Sequence, residues 1–150
     1  MTIPFDLRSA LLAKHAQHVV LIHFPIALYI AGTLFDFFGR AARKPALHVV
    51  AHWNHLAAAL FSIPAAITGI LAWRFALEGQ SLKGILRLHL IFGLCVVAGL
   101  WILVWLRSRY TKSGFFAPPR FLLVAEWVFC GFIALTAHLG GFLSGVNGGG

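Results

Sequence analysis

Histidines and carboxylates are the residues of this 150-residue chain that could do chemistry, and they gather at two levels. His18, His23, His89 and His138 lie near one end of long apolar stretches. Asp36, His48, His52, His55 and Glu126 lie near the other. Neutral imidazole is a common metal ligand and supplies the axial nitrogens of many haem irons. Two imidazoles on different helices at matched depth can close on the two faces of a b-type haem. His23 is the expected first ligand, because it sits inside its span just before Pro25, whose ring removes a backbone donor and kinks a helix. The second ligand is His89 or His138, with His18 close by and Arg87 placed to receive a propionate. The competing expectation is that these histidines only hydrogen-bond carbonyls or lipid headgroups.

The second level suits different chemistry. His48, His52 and His55 are spaced i, i+4, i+7 and fall within about 60° of one helical face. One face of one helix cannot ligate both sides of a haem, so one haem or none is expected. Asp36 and Glu126 fall in apolar sequence, where an ionised carboxylate needs a partner or a proton. Together with His52 and His55 they suit proton uptake, quinone hydrogen bonding or a non-haem metal. The plainer expectation pairs Asp36 with Arg40 one turn away and gives Glu126 a buried salt-bridge partner. No serine stands beside a buried histidine in a recognisable turn, so no catalytic residue is assigned.

The elements that must position these groups are four apolar stretches, Val19–Phe38, Val49–Trp73, Leu88–Leu106 and Phe121–Leu143. A hydrocarbon layer of about 30 Å needs about 20 helical residues, and each stretch is long enough. Hydrophobic residues make up 60% of the chain and charged ones 11%, with mean hydropathy +0.87. A soluble domain would have no polar face left for water, so a membrane protein is expected. The formal charge is +8, but the twelve Lys and Arg lie between or just outside the spans, which argues against nucleic-acid binding. Cys95 and Cys130 form no Cys-x-x-Cys motif and are expected to be small packing residues.

The expected fold is an all-α membrane protein, a four-transmembrane-helix antiparallel up-down bundle forming one domain over 1–150. Seven basic residues in the first and third connections, Arg107 among them, face five in the N-terminus, second connection and tail. The positive-inside rule then puts both termini outside the cytoplasm. The N-terminal segment lacks an A-x-A-like cleavage site after its apolar run, and the tail GVNGGG is expected to be mobile. Pro25 and Pro64 are expected to kink the first two spans. Ala65/Gly69, Cys95/Gly99 and Gly131/Ala134/Ala137 let helices approach closely.

The run His18-Val19-Val20-Leu21-Ile22-His23-Phe24-Pro25-Ile26-Ala27-Leu28, followed by Phe35-Asp36, resembles the first helix of a bacterial membrane family. That family is catalogued as domain of unknown function 2231. Pro64 to Gly69 with Trp73, then His89, then Gly140-Gly141 with Gly145 agree in order. The resemblance implies four transmembrane helices in a bacterial inner membrane, with roles for His18, His23, Asp36 and His89. Some members are fused to Rieske-type or cytochrome c domains, which implies redox work near a quinone pool. His138 and the His48/His52/His55 ladder depart from the family pattern. The expected function is therefore an electron-transfer subunit with haem b, linking a partner redox subunit to quinone within the lipid. The alternative is a non-catalytic accessory subunit of a respiratory or photosynthetic complex.

Overall fold

The computed structural model describes residues 16–76, 81–111 and 117–143. The N-terminal segment, Leu77-Glu78-Gly79-Gln80, Lys112 and the GVNGGG tail with Gly145 lie outside the described residues. The helices are α1 (Ala16–Leu21), α2 (His23–Ala41), α3 (Pro45–Leu71), α4 (Gly84–Thr111) and α5 (Arg120–Leu143). A π-helical turn, Ala72–Ala76, extends α3. Four spans are long and apolar enough to cross a membrane: Gln17–Ala41, Pro45–Phe75, Gly84–Tyr110 and Arg120–Leu143. They form an all-α bundle in which each helix packs on the next and α5 closes against α2.

The helices outrun the apolar stretches because their ends are capped rather than exhausted. Pro45 opens α3, where its missing N–H costs nothing. The turn before it holds Arg43 at a left-handed φ of 54°, with Lys44 N–H donating to Gly39 O at 2.8 Å. That six-residue bond is the helix-ending pattern that satisfies the last carbonyls. α4 runs on to Thr111, past Arg107 and Arg109.

Neither proline stops its helix. Pro25 cannot donate to Leu21 O, yet Ile22 N–H donates to His18 O at 3.0 Å and Ile22 O accepts from Ile26 N–H at 3.4 Å, so α1 runs on into α2 with helical backbone. Pro64 leaves α3 continuous, and Thr68 Oγ1 donates back to Pro64 O at 2.9 Å.

The core is small and centred on Tyr29, with Ala58, Ala59, Leu100, Val104 and Ile133 around it. Alanines on α3 let α2 and α4 come close, as small residues do where helices pack in lipid. Large apolar side chains such as Trp53, Ile102, Val124 and Val128 point outward. On a soluble protein such a surface would aggregate; in a bilayer it is the solvated face.

α2 and α3 run antiparallel in a seven-residue register. Gly39 faces the His48 ring, and seven residues earlier Gly32 faces the His55 ring, seven residues later on α3. At the far end the roles reverse, and Gly69 faces His18. A seven-residue repeat on both partners is the signature of left-handed packing.

Candidate functional site

The chemistry-bearing residues fall at the two ends of the bundle, with the Tyr29 core between them. At one end is a cavity of about 380 Å³ lined chiefly by apolar side chains and by His18 and His89. The two rings come from α1 and α4, with centres 6.5 Å apart and planes at 75°. His18 Nδ1 donates to Ala65 O at 3.0 Å, and His89 Nδ1 donates to Thr136 O at 3.1 Å. A carbonyl only accepts, so each Nδ1 carries the hydrogen and each Nε2 carries the lone pair. This is the outer-shell arrangement that orients metal-binding imidazoles.

Glycines make room for both rings. A Cβ on Gly69 would lie 2.9 Å from His18 Cε1, and one on Gly140 would lie 2.9 Å from His89 Cε1. Gly93, one turn after His89, also lines the cavity, and a Cβ there would meet open space.

The remaining residues expected at this end lie elsewhere. His23 is exposed, and its Nδ1 donates to Val19 O of the preceding turn at 2.6 Å. His23 follows His18 by five residues, about 140° around a helix, so its side chain lies on the outer surface while His18 turns inward. His138 is also exposed and packs edge-on against Phe142, with centres 4.9 Å apart. The structure therefore brings His18, rather than His23 or His138, opposite His89. Arg87 is exposed, two residues before His89.

The other end holds a buried ion network built on Arg107. Sequence put this arginine in the third connection as a headgroup anchor; the structure carries it inside α4 at 1% exposure. Its Nη1 donates to Asp36 Oδ2 and, at 3.0 Å, to Glu126 Oε1. Its Nη2 donates to Asp36 Oδ1 at 2.9 Å and to His48 O at 3.1 Å. His48 Nδ1 adds a bond to Asp36 Oδ1 at 2.7 Å. Four helices are thereby tied by one guanidinium, whose planar fork suits paired carboxylates. Asp36 does not pair with Arg40, which instead donates to Pro118 O.

His55 is buried beside the network, with Nε2 3.3 Å from Thr33 Oγ1 and Nδ1 3.9 Å from Glu126 Oε1. His52 is half-buried with its ring against Trp53. The i, i+4, i+7 ladder thus splits, since His48 and His55 turn inward and His52 sits at the edge. Ligand atoms of Asp36, His55 and Glu126 lie within 4.8 Å of one another, a spacing a cation could use. The Arg107 guanidinium already occupies that role for both carboxylates.

Tyr29 and Thr33 went unnoticed in the sequence because single polar residues in an apolar run carry no pattern. Tyr29 packs at a tilt against the His55 ring, with centres 4.8 Å apart, and its hydroxyl donates to Glu126 O at 3.4 Å. Cys130 Sγ lies 3.6 Å from Thr33 Oγ1, and Cys95 is exposed; both cysteines are free.

Four spanning helices around a small-residue core, with a buried ion network at one end, define an α-helical integral membrane bundle. The chain belongs to the family described as predicted membrane protein, domain of unknown function 2231, whose pattern it matches over residues 14–150. No curated protein and no solved structure matches it.

Proposed function

We propose that this chain is an electron-transfer subunit of a bacterial inner membrane, holding one b-type haem between His18 and His89. The observation that carries the reading is the pair of neighbouring imidazoles whose Nδ1 bonds to carbonyls leave a lone pair on each Nε2. Two metal–nitrogen bonds of about 2 Å in line would set the ring centres about 6 Å apart. The observed spacing is 6.5 Å. The cavity volume of about 380 Å³ lies in the range of cofactor sites, about 300–1,000 Å³.

The chemistry of the donors favours iron over an oxidised quinone at this end. A quinone carbonyl needs a hydrogen-bond donor, and both Nε2 atoms are acceptors. A metal needs a lone pair, and both supply one. When bound, haem would supply a one-electron centre, and His18, His89 and the apolar pocket would tune its potential. Gly69 and Gly140 seat the ligand rings, Gly93 leaves space for a flat ring, and Arg87 offers a propionate partner. The described loops carry no catalytic domain, so a partner redox subunit and the quinone pool are the proposed electron donor and acceptor.

The test is a reduced-minus-oxidised spectrum with a pyridine haemochrome assay on the purified, haem-supplied protein. About one b haem per chain is expected. His18→Ala and His89→Ala lose it, while His23→Ala and His138→Ala retain it. A folded protein without haem would overturn the reading and favour an accessory subunit. Haem kept in both His18→Ala and His89→Ala would overturn the ligand assignment.

A further inference from the structure

We propose that the Asp36 end of the bundle is a binding site for one proton, held on Glu126 between Asp36 and His55. The site is independent of the haem reading. Eighteen residues separate His18 from Asp36, about 27 Å along a helix at 1.5 Å per residue.

Charge counting comes first. Asp36, Glu126, Arg107, His48 and His55 are all buried, at 0, 1, 1, 4 and 3% exposure. Two carboxylates face one guanidinium, so neutral histidines leave one negative charge in excess. An uncompensated charge inside hydrocarbon is costly, and one bound proton removes it.

The hydrogen bonds say where that proton belongs. Both Asp36 oxygens are taken by Arg107, and Oδ1 also accepts from His48. Glu126 Oε1 accepts one bond from Arg107, and Oε2 has no hydrogen-bond partner among the described residues. Glu126 is the less stabilised anion of the two.

His55 points the same way. Thr33 spends its hydroxyl hydrogen on Tyr29 O at 3.1 Å, so toward His55 it can only accept. His55 Nε2 must then carry the ring hydrogen, which leaves a lone pair on Nδ1. That lone pair faces Glu126 Oε1 at 3.9 Å. Acceptor atoms of Asp36, His55 and Glu126 thus converge within 4.8 Å, and none of the three brings a hydrogen to the others. A proton on Glu126 turns one of the three acceptors into a donor.

The other groups facing Glu126 do not supply that hydrogen. Tyr29 of α2 directs its hydroxyl at the Glu126 main-chain carbonyl. His48 of α3 bonds to Asp36, and His52 sits at the edge against Trp53. Cys130, on α5 itself, bonds to Thr33. The step is simple: one proton adds to the Glu126 carboxylate to give the neutral acid, and leaves by the reverse.

The chain contains two glutamates, Glu78 and Glu126, and two aspartates, Asp6 and Asp36. Infrared spectra of the full chain in lipid nanodiscs, with isotope-labelled glutamate, therefore read the proposal in the unmutated protein. The expected result at neutral pH is a deuterium-sensitive carboxylic-acid carbonyl band that moves with the glutamate label. It vanishes in Glu126→Gln, persists in Glu78→Gln, and shifts in His55→Leu, which removes an acceptor. Three results would overturn the proposal: no such band, a band that follows labelled aspartate instead, or a metal ion other than haem iron retained at one per chain by elemental analysis. If Glu126→Gln fails to fold, the labelled wild-type spectrum still decides.

Discussion

Replacing Arg107 by methionine tests whether the bundle is held by charge or only by the space the side chain fills. Methionine follows much of the arginine stem, so the change removes the guanidinium with little lost volume. In the native protein that group makes three bonds to two carboxylates and one to His48 O. At about 3 Å and an effective dielectric near 20, the Arg107–Asp36 pair attracts by roughly 5–6 kcal/mol before desolvation is counted. Desolvation cancels much of this in the native state but not in the mutant, where Asp36 stays buried without a counter-ion and the protonated Glu126 loses its Arg107 donor. Removing one member of such a pair costs about 3–5 kcal/mol, and that is the expected loss. The triple change Arg107→Met, Asp36→Asn, Glu126→Gln removes the ion pair and the acidic proton and keeps an acceptor for His48. It should recover at least half of the loss, because a neutral network leaves no orphaned ion. Arg107→Lys should fall between, since an ammonium cannot span both carboxylates. Stability would be read by reversible unfolding in mixed micelles, using the five tryptophans as fluorescent reporters. A single mutant within about 1 kcal/mol of wild type, or a triple no more stable than the single, would refute the electrostatic account.

Gly69→Ala puts a methyl 2.9 Å from His18 Cε1, displaces the ring and weakens the bond to Ala65 O, worth about 0.5–1.5 kcal/mol. The haemochrome assay should show reduced haem in this variant and none lost in Gly131→Ala, where a Cβ meets nothing within 4 Å. Gly32→Ala meets the His55 ring at 2.8 Å and Ala51 O at 3.2 Å, so α2 must move off α3. Unfolding in micelles should show a loss of about 1–3 kcal/mol, the usual cost of overpacking. A Cβ at Gly93 meets nothing within 4 Å beside the cavity, so Gly93→Leu should exclude a flat cofactor while stability stays within about 0.5 kcal/mol. Normal haem content in Gly93→Leu would show that the cavity is not the cofactor site.

The four spans were legible because hydrocarbon thickness fixes helix length, and composition then decides what such helices are for. Their ends were not, since Pro45 and the Arg43 turn act through capping geometry rather than hydropathy. The two polar levels were also legible from depth alone, and Asp36, His48, His55, Glu126 and His89 lie at the ends to which sequence assigned them. Arg107 was misplaced for a simple reason. An arginine at the end of an apolar run looks the same whether it snorkels to headgroups or turns inward to a carboxylate on another helix. His18 and His23, five residues apart, lie about 140° apart on one helix, so only one could face the bundle, and the sequence did not say which. A usable signal was present in the glycines. Gly32 and Gly39 repeat at the same interval of seven as His48 and His55, and two antiparallel helices with one interval can mesh along their length.

That meshing has a consequence for how such sequences change over time. At four places the bundle sets a glycine against an imidazole on another helix: Gly39 with His48, Gly32 with His55, Gly69 with His18, and Gly140 with His89. Each glycine exists to admit a ring, so neither partner can drift alone. A larger residue at the glycine evicts the ring, and a smaller residue at the histidine leaves a hole that a larger neighbour would fill. The pairs should therefore covary among relatives, each as a unit of inheritance. Members that lose His48 with Gly39, yet keep His18 with Gly69, would have shed one end of the bundle while retaining the other. The pattern of kept and lost pairs would sort the family by which of its two ends each lineage still uses.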